Sequence, residues 1–243
     1  MGVCMTLLEG ENAAMLVDTG YGIEDVADFM RHMTDLPLTV FLTHNHHDHA
    51  MGARCFPETY MLEADMADWR MFTNDEMRRR VLTQAIGKNL PVDEKTFLAG
   101  EIPLPKVMKP GVIDLGGLTA EIIEAPGHTP GSAVVYVPER KLLLSGDDWN
   151  PCTWLFFPQA LGLREYRSNM RGIQQLPFEK VLCPHRETLY DRWMFDDFFN
   201  ALTDGNLRAA EPVNIAPYEQ IDTCQAALPH DQVLVFDWAK SGL

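Results

Sequence analysis

The chain has 243 residues, 46% of them hydrophobic and 23% charged, enough apolar material for a core of useful size in one large domain or two small ones. Its 35 acidic and 20 basic residues leave a formal net charge of -15, a surface that repels phosphate backbones and excludes nucleic acid as an expected partner. Five widely spaced cysteines without a Cys-x-x-Cys exclude a disulfide framework, no run nears the ~18 apolar residues of a membrane span, and the first residues lack a secretory pattern. The expectation is a cytoplasmic protein that meets neither membrane nor nucleic acid.

In chain order, residues 5–8 and 13–17 read as two short strands around the Gly10-Glu11-Asn12 turn, and Asp18-Thr19-Gly20 ends the second. Residues 23–33 repeat apolar side chains at helical spacing, at Ile23, Val26, Ala27, Met30 and Met33. After Pro37, residues 38–42 are an apolar strand, and 50–55 start a short helix. Residues 63–86 contain few β-branched side chains and read as one mostly helical stretch ended by Gly87 and Pro91. Four prolines make 90–110 a connecting loop. Strands follow at 112–115, 118–125, 133–137 and 142–145, then a helix at 163–176, a strand at 180–183, a helix at 193–202 and a last strand at 233–236. Residues 206–232 read as a polar loop. Two successive sets of strands and helices imply two packed sheets with helices outside.

The segment Thr43-His44-Asn45-His46-His47-Asp48-His49 packs four histidines and a carboxylate into six positions directly after an apolar strand. Imidazole and carboxylate are the ordinary ligands of zinc and iron, and a tight turn at a strand end can aim several such groups into one space. Three later strand ends carry further ligand types: His128 in Gly127-His128-Thr129-Pro130-Gly131, Asp147 in Ser145-Gly146-Asp147, and His185 in Cys183-Pro184-His185. Asp148 competes with Asp147. Of the other histidines, His47 sits between ligand-type residues and is expected to point away from the metals, while His32 and His230 lack such company, and all three are expected to be structural.

The ordered set His-x-His-x-Asp-His, Gly-His-Thr-x-Gly, Ser-Gly-Asp and a last His, preceded by Val17-Asp18-Thr19-Gly20, resembles the metallo-β-lactamase superfamily, over roughly three quarters of the chain. The final motif departs from the family's usual Gly-His-Gly. The resemblance implies an α/β (α+β) fold, a four-layer αββα sandwich of two mixed β-sheets with helices on both outer faces. It implies one domain over 1–243 with a helical insertion at 63–110. It further implies His44, His46 and His128 on one metal ion, Asp48, His49 and His185 on a second, and Asp147 bridging both. Asp18 would then support the ligand loop without binding metal. Two zinc ions are expected, with iron or manganese as alternatives.

A glyoxalase II-like or lactonase-like member with this ligand set would use a hydroxide between two metals to cleave a small ester, thioester or lactone, with Asp48 orienting the water and taking its proton. Trp154, Phe156 and Arg186 are the expected substrate contacts, beside Trp149 and Phe157, which either line a pocket or belong to the core. The 63–86 stretch is a lid or a homodimer face. The main alternative is a mononuclear iron oxidative enzyme resembling persulfide dioxygenases. A β-lactam or phosphoester hydrolase is a further alternative.

Overall fold

A computed structural model describes residues 2–243. The chain divides into two compact units, one ending at Ile122 and one running from Ile123 to Leu243.

The first unit is built on a five-stranded sheet. Strands β1 (Thr6–Glu9) and β2 (Ala14–Val17) form an antiparallel hairpin. Helix α1 (Val26–Met33) returns the chain to β3 (Leu38–Phe41), parallel to β2. All four residues of β2 are buried, as expected of a central parallel strand. The helix starts at Val26 and not at Ile23, because the Asp25 carboxylate caps it by accepting the Asp28 N–H at 3.0 Å. It packs Val26, Ala27 and Met30 against Leu16, Val40 and Phe56. Helix α2 (His47–Ala50) and a 3₁₀ turn (Met51–Cys55) follow β3. Strand β4 (Tyr60–Met61) then pairs parallel with β3.

The stretch expected as one helix over 63–86 is three pieces: a 3₁₀ turn (Glu63–Asp65), α3 (Trp69–Thr73) and α4 (Asp75–Gly87). Asn74 makes the break between the last two. Its backbone is extended (φ -73°, ψ 168°) and its side-chain oxygen accepts the Met77 N–H at 2.9 Å, so an N-cap outweighs the weak preference for continuing a helix. The expected loop at 90–110 contains a further turn of helix, α5 (Glu94–Phe97), and strand β5 (Lys106–Val107), parallel to β4. Trp69, Val81, Leu82, Phe97 and Ile102 join Leu42 and Met61 in one apolar cluster. Arg78 lies inside it, 1% exposed. Its guanidinium donates to the Gly100 carbonyl at 2.7 Å, to the Ala99 carbonyl at 3.2 Å, to the Phe97 carbonyl, and to the Asp75 carboxylate at 3.2 Å. Strands β6 (Gly111–Asp114) and β7 (Thr119–Glu124) form a hairpin whose turn needs Gly116 and Gly117, both left-handed. Strand β7 carries the chain into the second unit.

There, β8 (Ala133–Val137) and β9 (Leu142–Leu144) are antiparallel, β11 (Lys180–Leu182) runs parallel to β9, and β12 (Leu189–Asp191) is antiparallel to β11. A separate four-stranded sheet has the order β10 (Cys152–Leu155), β15 (Gln232–Asp237), β14 (Thr223–Leu228), β13 (Glu211–Pro212). Helices α6 (Leu163–Ile173), α7 (Arg192–Ala201) and α8 (Asp204–Arg208) complete the unit. Two of these strands correct the expected polar loop at 206–232. In Thr223–Leu228, outward Gln225 and Ala227 alternate with buried Cys224, Ala226 and Leu228, side chains too small or too polar to mark a strand. Trp149 is fully buried, with its ring centroid 5.6 Å from Phe195 and 5.5 Å from Tyr190, so it belongs to the core.

Since three backbone carbonyls depend on one guanidinium, Arg78→Ala is expected to cost about 3 kcal/mol or more by leaving buried acceptors unpaired. A urea titration would show it as a lowered midpoint, and an unchanged midpoint would refute the role.

Candidate metal centre

The first group of ligand-type residues is organised by Asp18. The residue follows β2, is 2% exposed, and takes the left-handed conformation (φ 64°), which costs energy outside glycine. Its own N–H donates to the Phe41 carbonyl at the end of β3 (2.8 Å), and its Oδ1 accepts the Thr43 N–H (2.8 Å). The carboxylate thus closes the backbone where the apolar strand gives way to the histidine run. The Thr43 hydroxyl also donates to it, at 2.9 Å to Oδ1 and 3.0 Å to Oδ2. With that proton committed, the Thr43 oxygen can only accept from His44 Nδ1, 3.0 Å away. His49 Nδ1 lies 2.8 Å from Asp18 Oδ2 and donates to it. Both imidazoles therefore carry their proton on Nδ1 and their lone pair on Nε2. A side-chain or main-chain oxygen holding the distal nitrogen in this way is the usual support of a metal-binding histidine.

Local backbone explains how four histidines crowd together. His46 is extended (φ -63°, ψ 146°) and forms the N-cap of α2, so the helix expected to begin at Ala50 begins at His47. His44 and His46 sit on the turn, while Asp48 and His49 sit in the helix's first turn. The His44 ring centroid lies 4.7 Å from that of His46 and 4.2 Å from that of His49. The His49 carbonyl accepts both the Thr19 N–H (2.7 Å) and the Thr19 hydroxyl (2.8 Å), tying α2 back to the Asp18 loop. Gly52 makes that approach possible, since a Cβ there would fall 2.1 Å from the Thr19 carbonyl oxygen. His47 packs its ring edge-on to Tyr21 at 5.6 Å, and burial lowers its pKa. His32 and His230 are exposed and bind the Asp28 carbonyl and the Asp197 carboxylate, each at 2.8 Å.

The second group belongs to the other unit. His128 Nδ1 donates to the Trp154 carbonyl at 2.6 Å, again leaving the lone pair on Nε2. That Nε2 is 3.6 Å from Asp147 Oδ2, and His185 Nε2 is 3.0 Å from the same oxygen. Gly146, left-handed at φ 52°, turns the chain at the end of β9 to present Asp147. The rival carboxylate faces elsewhere: Asp148 Oδ1 accepts the His128 N–H at 2.9 Å, and the buried Tyr166 hydroxyl donates to the Asp148 carbonyl. Gly127 leaves room for this, because a Cβ would lie 2.8 Å from Asp148 Oδ1 and 2.5 Å from the Tyr166 ring. Burial, and then Asp147, push the Cys183 thiol up to about 12, so a protonated thiol stands beside the last ligand motif.

The residues expected to touch substrate are placed differently from one another. Phe156 is fully buried, Trp154 is half-buried, and Arg186 is exposed with its guanidinium 3.3 Å from the His185 carbonyl. Phe157 stands closer to the ligands than its weight in the sequence suggests. Its ring is 5.4 Å from His128, stacked on Phe156 at 4.6 Å and edge-on to Tyr218 at 5.4 Å. The Lys240 ammonium holds this loop by donating to the carbonyls of Phe157 (3.2 Å), Pro158 (2.6 Å) and Ala160 (2.9 Å). Of the supporting groups, Thr43 and Lys240 were assigned no role from sequence, and Asp148 was weighed only as a rival to Asp147. Thr43, inside the histidine motif, and Asp148, next to Asp147, offered a signal, and Lys240 offered none.

The histidine and aspartate groups of the described residues have the donor chemistry to hold metal ions. The chain belongs to the metallo-beta-lactamase superfamily, whose family model matches residues 2–185, and it has that family's fold of mixed sheets with helices. Acyl-coenzyme A thioesterase MBLAC2 of Gallus gallus is 26% identical over 200 residues, covering 74% of this chain and 70% of that protein. The Homo sapiens protein of the same name is 23% identical over 204 residues, covering 75% and 72%. Among solved structures, a metallo-beta-lactamase family protein from Thermus thermophilus superposes with a TM-score of 0.60 at 20% identity, covering 85% of this chain and 76% of that one. TTHA1623, solved in a di-iron-bound form, gives a TM-score of 0.53 at 20% identity, covering 79% and 91%.

Because Asp18 fixes the tautomer of two histidines, Asp18→Ala is expected to weaken metal affinity ~10–100-fold. Competition with a chromophoric chelator measures this. Affinity equal to that of the parent would show that the network only braces the backbone.

Proposed function

We propose that the chain is a metal-dependent hydrolase that cleaves a small acyl thioester, with esters and lactones as secondary substrates. One observation carries the metal dependence: His44, His49 and His128 each have Nδ1 engaged by an oxygen acceptor, which puts the lone pair on Nε2 as in ligand histidines. Superfamily membership and the two thioesterase relatives support a hydrolase, and those relatives favour thioesters among its candidate substrates.

In this reading, which the family resemblance supplies, His44, His46 and His128 would hold one ion, Asp48, His49 and His185 would hold the other, and Asp147 would serve both. Zinc suits these nitrogen and oxygen donors, and so does iron. When bound there, such ions would supply Lewis acidity, making water a better nucleophile at neutral pH and polarising a carbonyl.

The chain's own residues do the rest. Asp18 and Thr43 keep His44 and His49 in one tautomer and one orientation. The Trp154 carbonyl does the same for His128. Asp48, on the first turn of α2, orients the attacking water and accepts its proton. Water adds its oxygen to the acyl carbon, the carbon–sulfur bond breaks, and the proton passes to the departing thiolate, giving a carboxylic acid and a thiol. Trp154 and Phe157 offer half-buried aromatic surface to the acyl part, with Phe156 packed behind them. Arg186, exposed beside His185, would pair with an anionic group on the thiol part.

Elemental analysis of protein purified without added metal is expected to find two ions per chain, falling toward one in His185→Ala. Thiol release from short-chain acyl-coenzyme A should accompany the two-metal form. A single iron that His185→Ala leaves in place, with no thiol released, would overturn the proposal in favour of the oxidative alternative. Asp48→Asn is expected to lower kcat by about 10²-fold or more with KM little changed, and a normal kcat would remove Asp48 from proton transfer.

A further inference from the structure

The ligand turn is held from a second side. Asn45 lies between His44 and His46 and is fully buried. Its backbone N–H donates to Asp65 Oδ2 at 3.1 Å, and its side-chain Nδ2 donates to the Asp65 carbonyl at 3.0 Å. Asp65 is 1% exposed and closes the 3₁₀ turn Glu63–Asp65 at the head of the helical insertion. A carboxylate is costly to bury and persists inside only where hydrogen bonds compensate it. This one gives an oxygen to the peptide N–H between two histidines and so fixes the angle at which that turn presents them. Further along the insertion, Phe72 on α3 touches the same loop: it is 6% exposed, and its ring centroid lies 4.5 Å from that of His46. The insertion therefore meets the ligand run at two points, one polar and one aromatic.

We infer that Asp65 is a positioning residue for the metal ligands, and that it couples metal binding to the order of the insertion's first segment, residues 63–73. Asp65 does not itself bind the ion. It acts through Asn45 on His44 and His46, as Asp18 acts through Thr43 on His44. The inference rests on the metal-binding reading given above. Coupling of this kind is reciprocal: a segment that holds the ligands in register is itself held when the ion binds.

Zinc affinity of the full chain, by competition with a chromophoric chelator, tests the first part. Asp65→Ala is expected to bind zinc ten- to a hundredfold more weakly than the parent. Asp65→Asn, which keeps an acceptor oxygen for the Asn45 N–H, should recover most of that loss. Cobalt substitution should show the ligand-field bands of Asp65→Ala displaced and those of Asp65→Asn near the parent's. A merely structural role would lower the unfolding temperature of the metal-free protein and leave zinc affinity and the cobalt spectrum alone, and that result would overturn the inference. If Asp65→Ala does not fold, hydrogen exchange of the unmodified chain decides: amides of 63–73 should exchange more slowly with zinc than without, and equal exchange would overturn it. A parent chain that takes up no zinc would defeat the metal reading itself, whereas a parent that binds and an Asp65→Ala that binds equally well would defeat only this inference.

Discussion

The Asp18 carboxylate is the point on which the first unit's ligand group depends. Its two oxygens receive one backbone N–H, one hydroxyl and one imidazole N–H. Each of these bonds alone is modest. Together they decide three separate matters: where β3 ends, which nitrogen of His44 carries its proton, and which nitrogen of His49 does. A neutral side chain of the same shape could accept some of these bonds, but a carboxylate accepts all of them without a competing donor. The left-handed backbone at the same residue is strain of the kind that persists where surrounding contacts over-determine it, and here the contact is the Phe41 carbonyl on the neighbouring strand.

The second unit solves the same problem with main-chain groups. His128 is held from behind by the Trp154 carbonyl and through its own N–H by Asp148, and the two adjacent aspartates divide the work: Asp147 meets imidazole, Asp148 meets backbone. The aromatic loop that begins at Trp154 is in turn fastened by Lys240, whose three donors match three carbonyls. An ammonium is compact enough to satisfy several carbonyls at one point, so the half-buried face of Phe157 is presented next to His128 without a strand or helix of its own.

What was legible from sequence follows from how loudly each residue type speaks. The strands expected at 133–137 and 142–145 are apolar runs bounded by polar turns, and the structure has them at Ala133–Val137 and Leu142–Leu144. The histidine run, Asp147 and the last His stand out because ligand-type residues at strand ends have few other reasons to be there. The insertion was read as one helix because propensity is summed along a window, while the break at Asn74 depends on one side chain folding back onto one N–H. Strand β14 was missed because its buried positions are Cys224, Ala226 and Leu228, and burial there is decided by the partner strand β15 and not by hydrophobicity. Arg78 is the first of three consecutive arginines, and nothing in that run marks it as interior; the carbonyls at 97–100 that it serves do.

One consequence concerns the order in which the molecule can be assembled. Strand β10 lies at the edge of its sheet, and its one neighbour there is β15, roughly 80 residues further along the chain. The carbonyl that fixes His128 belongs to Trp154, inside β10. During synthesis the histidine emerges roughly 100 residues before β15, so the strand that supports it has nothing to pair with until β15 follows. The support of His128 therefore waits on a distant and inconspicuous strand, and a nascent chain halted before β15 would lack the partner that holds the Trp154 carbonyl in place.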